Sequence, residues 1–451
     1  MAWDNYLNSS RLRTSTRNIA GDPRNEFESD LGRVIFSPAI RRMHDKTQVF
    51  PLTTDDHIHS RLTHSMEVMA IGYSLGIRLS ENEKFIKMTG EDSSHLLRII
   101  PIILKNACLV HDIGNPPFGH FGEDVIKNYF TSLFNAKVPF ELSEIEKQDF
   151  TNFDGNAQGF RILTKLEVLD NAFGLNLSLG TLGAYLKYPN ADKIDPNNLA
   201  MSKRGVFQSE RDYLAKIVEG CGLKKSLFCK RHPLAFIMEA ADSICYLVMD
   251  IEDGFNKGYY NYEFIKESLK NIDGINEIFI KIEKEHNTYG AEITRMVNLR
   301  IYLISRLVNL AMENFILNFN EICNGDYNKE LIKDDKTGLA KTLYNFCIKN
   351  IFSNREIQSL ELTGHSVLTG LLDYYINFIF HEDKNYRKRA QGMISKSLIR
   401  AVFIENNLNE SNKIDDLTPY FKLRLIVDFI TGMTDQFALN HYQKLSGQKI
   451  I

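Results

Sequence analysis

In the stretch NACLVHDIGNPPFGHFGED, an apolar run ends on adjacent His111 and Asp112, and His120 and Glu123 follow at a spacing of three. Imidazole and carboxylate groups bind divalent cations and move protons near neutral pH. Neighbouring residues on a helix point about 100° apart, so His111 and Asp112 address one ion only where the helix ends or another element closes around them. The run Gly114-Asn115-Pro116-Pro117 provides such an end. His120 and Glu123 then share one face of the helix that follows.

His64 opens an amphipathic segment 47 residues before His111 (111 − 64). Downstream, RHPLAFIMEAADSICYLVMDIEDGF reads as a helix whose apolar face is interrupted by Asp242. A carboxylate there is costly unless paired or metal-bound. Asp242, Tyr246 and Asp250 recur every four residues and line one stripe. Pattern alone leaves two readings open. One is a His/His-Asp/Asp site for one divalent ion, with Mn, Mg or Fe better suited than structural zinc. The other is a satisfied polar network between helices.

The order His64 … His111-Asp112 … Asp242 resembles the H…HD…D signature of the HD phosphohydrolase superfamily. RNEFESDLGRVIFSPAIRRMHDKTQVFPL, RLTHSMEV, LVHDIGNPPFGHFGE, FDGNAQGFRIL, LKYP, RHPLAFIMEAADSICY and DFITGMTDQFA are each similar to blocks of the deoxynucleoside triphosphate triphosphohydrolases, bacterial dGTPases above all. They run in that family's order from about residue 24 to 442. The resemblance implies metal ligands His64, His111, Asp112 and Asp242, and a catalytic dyad of His120 and Glu123. It implies nucleotide contacts from Gln48, Arg61, Asn156, Lys187, Tyr246 and Asp250, with Arg424 resting on a less distinctive block. The family usually reads EAADDI, and here Ser243 stands in place of the second Asp. With Asp242 as the ligand, as its stripe with Tyr246 and Asp250 favours, only a neighbour changes.

The implied reaction is hydrolysis of a dNTP, dGTP by default, to the deoxynucleoside and tripolyphosphate by water attack at the α-phosphorus. His120 would serve as acid to the departing 5′-oxygen or as base to the water, its basicity raised by Glu123. Arg61, Lys187 and Arg424 would gather the triphosphate, while Tyr246 and Asp250 would read the deoxyribose and disfavour GTP. A dNTP or single-stranded DNA as effector, and a homo-oligomer that is a multimer of dimers, come with the same resemblance. Two other functions compete. An HD hydrolase of monophosphates, cyclic nucleotides or guanosine tetraphosphate is opposed by the GNAQ, LKYP and GMTD blocks. A non-catalytic nucleotide sensor or DNA-binding scaffold is opposed by the intact His120 and Glu123.

The elements that must position these groups read as helices. The chain has 451 residues, 43% hydrophobic, with only 11 Pro and 27 Gly, which excludes wholesale disorder and collagen-like repeats. In THSMEVMAIGYSLGIRLS, the residues Met66, Met69, Ala70, Tyr73 and Ile77 recur at steps of three and four, the spacing of a helix. Ile304, Leu307, Val308 and Ala311 do the same farther on. Alternating patterns are scarce, so the expected class is all-α: an HD helical core with additional C-terminal helices and at most minor strands. Residues 1–255 are expected to form an N-terminal arm and the core, and 256–451 a helical part packed on it, in one compact body. Residues 1–30, polar and Arg-rich, read as an extended arm.

A net charge of −3, from 54 basic and 57 acidic side chains, provides no coat for nucleic acid, so cations for a polyanion must be gathered locally. Six dispersed cysteines without a CxxC pair read as reduced thiols of a cytoplasmic protein. The first residues lack a signal-peptide apolar region, and no membrane partner is expected. His57 and His59 read as surface loop histidines. His44, His95, His232, His286, His365, His381 and His441 have no partner at useful spacing.

Overall fold

The computed structural model describes residues 3–14, 21–53, 55, 57–169, 172–225, 228–288, 290–409 and 411–449. The expected all-α class holds. Helices form the body, and the one sheet among the described residues is a two-stranded antiparallel ladder of Val168–Leu169 and Ala172–Phe173.

Two helices at the centre carry three of the candidate site residues. Arg61–Ser80 starts from a capping box in which Ser60 and Thr63 satisfy each other's backbone N–H. Ser93–Val110 starts on Asp92, whose carboxylate accepts from Ser94 and His95. The buried face of the first is not the one that hydrophobicity predicts. Met66 and Tyr73 are exposed, and Ser65, Val68, Gly72, Leu75, Gly76 and Leu79 are buried instead. The glycines explain the difference. A Cβ on Gly72 would lie 2.3 Å from Cys108 Sγ, and one on Gly76 would lie 2.7 Å from Pro101 Cα. Small residues therefore choose this interface, and large apolar ones are left to its flanks.

Ser93–Val110 is long and apolar enough to cross a membrane by length and composition, but more than half of it is buried inside the protein. Against both helices lies Pro233–Asn256, capped by the His232 side chain on Leu234 N–H, with Pro233 in its first turn. Apolar side chains form two clusters. The first holds both central helices and ends locally at Ile113. The second joins Phe118, Val125 and Phe130 to C-terminal residues such as Leu371, Leu423 and Ile430. The turn at 114–117 therefore passes from one core to the other.

The expected N-terminal arm is corrected. Trp3, Tyr6 and Leu7 are buried, and the Trp3 ring meets Tyr6, Phe85 and Phe319. A capping box between Asn25 and Glu28 then starts the helix Glu26–Ile35. Polar neighbours conceal these aromatic anchors from a composition reading. Residues 15–20 of that arm lie outside the described residues.

Candidate active site

His64 lies in the first turn of Arg61–Ser80, His111 caps the end of Ser93–Val110, and Asp242 sits midway along Pro233–Asn256. Three helices thus deliver side chains to one point. His64 Nε2 and His111 Nε2 each lie 3.3 Å from Asp242 Oδ1, and His111 Nε2 is 3.6 Å from Asp112 Oδ1. Donor atoms of His64, His111 and Asp112 all fall within 4.8 Å of one another. The helix end lets His111 and Asp112 converge despite being adjacent.

His111 Nδ1 donates to the Cys108 carbonyl at 2.7 Å, which leaves Nε2 as a lone-pair acceptor. That atom is buried and has no hydrogen-bond partner. Burial lowers the His111 pKa, but the Asp112 and Asp242 charges outweigh it and raise the pKa overall. An orphaned imidazole nitrogen among carboxylates calls for positive charge, and the donor set fits a divalent ion.

Two cations already lean on the same carboxylates. Lys187 Nζ lies 2.6 Å from Asp242 Oδ2, and Arg61 Nη1 pairs with Asp112 Oδ2. Burial alone would raise both acids. The charges of His111 and Arg61 hold Asp112 well below the carboxylate range, and Lys187 and His111 do so for Asp242.

Next to this cluster, Gly119 opens the helix Gly119–Asn135 at φ +59°, where a Cβ would come within 2.7 Å of Arg61 Nη2. One residue on, His120 is largely open to solvent, and its Nδ1 lies 3.6 Å from the buried Glu123 Oε1. Glu123 pairing raises the His120 pKa. Glu123 is in turn held by Gly155 N–H at 3.1 Å, beside Asn156, whose backbone and side chain both donate to Asp154. Tyr246 and Asp250 continue the Asp242 stripe. Asp250 is buried, and burial together with the Asp253 charge lifts its pKa far above the usual carboxylate value. Gln48 has its side-chain oxygen buried without a partner. Ser243 is buried beside Asp242.

Arg424 is placed elsewhere. It is wholly buried, donates to Gln158 Oε1 at 2.9 Å and to Asp428 Oδ1 at 3.3 Å, and lies 3.8 Å from the Phe207 ring centre. Its contacts belong to a buried ion network with Arg161, not to the His/Asp cluster.

The His59 reading needs correction, and His232 and His441 find partners only far along the chain. His59 is no free loop histidine: Nδ1 lies 2.7 Å from Asp253 Oδ1 and Nε2 3.1 Å from Glu67 Oε1. Burial opposes its charge, but the two acids push its pKa up to about 10. His232 is buried with Nε2 2.9 Å from the Tyr6 carbonyl, and His441 Nε2 is 2.7 Å from Tyr375 OH. Their partners are 226 and 66 residues away, beyond any local spacing rule. Lys203 was also missed. Its ammonium lies 3.5 Å from Asp154 Oδ2, on the Glu123 side of the site. The short SKRG stretch holds no periodic signal that could have flagged it.

Two helix ends and the middle of a third helix that converge on one His/His-Asp/Asp cluster, with a His/Glu pair alongside, define an HD-type phosphohydrolase site. Residues 61–150 match the HD domain, and residues 334–444 match the phosphohydrolase-associated domain. A deoxyguanosinetriphosphate triphosphohydrolase-like protein of Listeria innocua is 34% identical, covering 99% of this chain and all of that protein. One from Synechocystis is 33% identical over 99% of each chain. A deoxyguanosinetriphosphate triphosphohydrolase of Cronobacter sakazakii is 31% identical over 93% of each. The chain belongs to this family of nucleotide triphosphohydrolases, a branch of the metal-dependent HD hydrolases.

Proposed function

We propose that the protein hydrolyses deoxynucleoside triphosphates, dGTP foremost, to the deoxynucleoside and tripolyphosphate. The observation that carries this reading is the His64, His111, Asp112 and Asp242 cluster with the His120–Glu123 pair beside it. These four side chains would hold a divalent ion (Mn, Mg or Fe), which supplies Lewis acidity toward a phosphate oxygen and lowers the pKa of water. Arg61 and Lys187 stand ready to turn from their carboxylates to the triphosphate; Arg can clamp it bidentately and Lys acts as a point charge. Glu123 faces Nδ1 of His120 and raises its pKa, which favours the imidazolium form, whose Nε2 carries a proton. This favours the acid role, delivery of that proton to the departing 5′-oxygen.

Burial raises the Asp250 pKa, and in its protonated form the carboxyl can both accept from and donate to the 3′-hydroxyl. The Tyr246 ring beside it would pack on the deoxyribose face where a 2′-hydroxyl clashes. Asn156 and Gln48 are further candidates for polar contacts. Arg424, held by Gln158 and Asp428, enters this reading only if it leaves those partners. The reading also includes a cytoplasmic homo-oligomer built of dimers, and a second dNTP or single-stranded DNA as effector, tested by adding each to the assay. The deciding experiment incubates the protein with each dNTP and Mn²⁺ or Mg²⁺ and identifies the phosphate product. Tripolyphosphate is expected; orthophosphate, pyrophosphate or no release overturns the proposal.

A further inference from the structure

Asp435 stands in the first turn of the helix Asp435–Leu445, near the C-terminus, and is buried. Its two oxygens accept backbone N–H groups from segments far apart in the chain. Oδ1 takes Phe118 N–H and Oδ2 takes Thr47 N–H, each at 3.0 Å. Lys46 works in the opposite sense: its buried side-chain nitrogen donates to the Asn115 carbonyl at 2.6 Å and the Thr431 carbonyl at 2.7 Å. Four hydrogen bonds, two of them accepted by the Asp435 carboxylate, therefore tie residues 46–47, 115–118 and 431–435 into one knot.

The knot lies next to the chemistry. Gln48 follows Thr47, and Gly119-His120 follows Phe118. Phe118 has φ +63°, a left-handed conformation that a non-glycine residue adopts only at a cost of ~1 kcal/mol or more. It is the N-cap of the His120 helix yet makes no side-chain cap bond. Its ring packs so tightly on the helix Arg355–Ile379 that a Cβ on Gly364 would lie 2.7 Å from it. A strained residue held on both its backbone and its ring fixes the direction in which the next two residues leave.

We propose that Asp435 is a positioning residue. Its carboxylate clamps the backbone at Phe118 and Thr47, and thereby aims His120 at the reacting phosphate from the C-terminal part of the chain. This inference rests on the His120–Glu123 reading above.

The test compares wild type, Asp435→Asn, His120→Ala and the double variant as full-length proteins with Mn²⁺ and dGTP. It measures kcat, KM, metal content and thermal midpoint. Asparagine keeps the shape but turns one acceptor into a donor. We expect Asp435→Asn to keep its metal and to lose about tenfold to a hundredfold in kcat, with KM moving far less, since a catalytic group misplaced by ~1 Å costs on the order of 10²-fold. The double variant should turn over no more slowly than His120→Ala, because a group acting through His120 has nothing left to act on. Normal kcat in Asp435→Asn beside an inactive His120→Ala overturns the positioning role, and so do losses that multiply in the double variant. Normal turnover in His120→Ala overturns the dyad reading itself, which the single variant reports separately. If Asp435→Asn fails to fold, Asp435→Glu takes its place, with charge and acceptors kept but displaced by a methylene. Full kcat in Asp435→Glu overturns the proposal, and a reduced kcat that vanishes as an extra loss in the His120→Ala background supports it.

Discussion

The Lys187 ammonium lies 2.6 Å from Asp242 Oδ2, in the same cluster whose other Asp242 oxygen faces His64 and His111. Burial disfavours the lysine charge, but Asp242 and Glu239 more than restore it. Lys187 is thus an internal counter-charge to the carboxylate, and under the proposed function it would be a substrate cation held in reserve.

From this follows a stability effect that depends on metal. Lys187→Met leaves the buried Asp242 without its lysine, and losing one partner of a buried pair costs about 3 kcal/mol. Metal-free protein should show this loss in thermal unfolding with a chelator present. Excess Mn²⁺ should raise the midpoint of the variant by more than that of wild type, because the ion then meets a more negative cluster. The KM for dGTP should also rise. An equal metal response in both proteins would exclude the counter-charge role.

The His120–Glu123 pair has a readout in pH. Glu123, its carboxylate 3.6 Å from Nδ1, raises the His120 pKa. Glu123→Gln removes the charge, so His120 loses its proton at lower pH. The alkaline limb of kcat should move toward acid, and the loss of rate should be larger at pH 8 than at pH 6. His120→Ala should keep metal and dGTP binding while kcat falls ~10²–10⁴-fold. The profile is measured at saturating dGTP and fixed Mn²⁺; an unmoved limb argues against His120 as the acid.

Sugar reading gives a third expectation. Tyr246 and Asp250 follow Asp242 by one and two helical turns, and Asp250 is buried, with its pKa pushed well up by that burial. GTP should have a kcat/KM lower than dGTP by on the order of 10²-fold, the scale on which a packed pocket rejects one added hydroxyl. Tyr246→Ala should shrink that ratio, mainly by lowering the rate with dGTP. Equal efficiency on both nucleotides would remove the pair from sugar recognition.

The candidate site was legible where chemistry breaks a local rule. A His-Asp pair ends an apolar helix at a Gly-Asn-Pro-Pro turn, and Asp242 interrupts an apolar face; both need only neighbours in sequence to be noticed. The helical class was legible in the spacing of apolar residues. Which face of Arg61–Ser80 is buried was not, because Gly72 and Gly76 fit against Cys108 and Pro101 and carry no hydrophobic signal of their own. Trp3 and Tyr6 were hidden by polar neighbours. The Asp253 partner of His59 lies 194 residues away, and no spacing rule reaches that far.

The Gly76 contact can be tested without reference to function. Its added Cβ would lie 2.7 Å from Pro101 Cα, a backbone atom that cannot swing aside. Gly76→Ala should therefore destabilise the protein by about 1–3 kcal/mol, the usual cost of overpacking, although alanine is the better helix former. A rise in the unfolding midpoint would show that the two central helices are not held this closely.

His59 links the start of the Arg61 helix to the Asp250 end of the Asp242 helix through Asp253 and Glu67. Its pKa stands at about 10 in the fold, against an ordinary histidine value of 6.5. A folded-state pKa above the unfolded one means that folding is favoured by proton binding. The contribution is fully present below pH ~6.5 and is lost as pH rises through about 10. His59→Gln removes the charge and leaves Asp253 buried beside a neutral amide, so near pH 6 it should cost about 2–3 kcal/mol. Between pH 6.5 and 10 the gap to wild type should close, because wild type loses the same interaction by deprotonation. Denaturation midpoints of both proteins at pH 6, 8 and 10 measure this directly. A gap that stays constant across that window would mean that His59 stabilises through packing or neutral hydrogen bonds, with no charged imidazolium between the two acids.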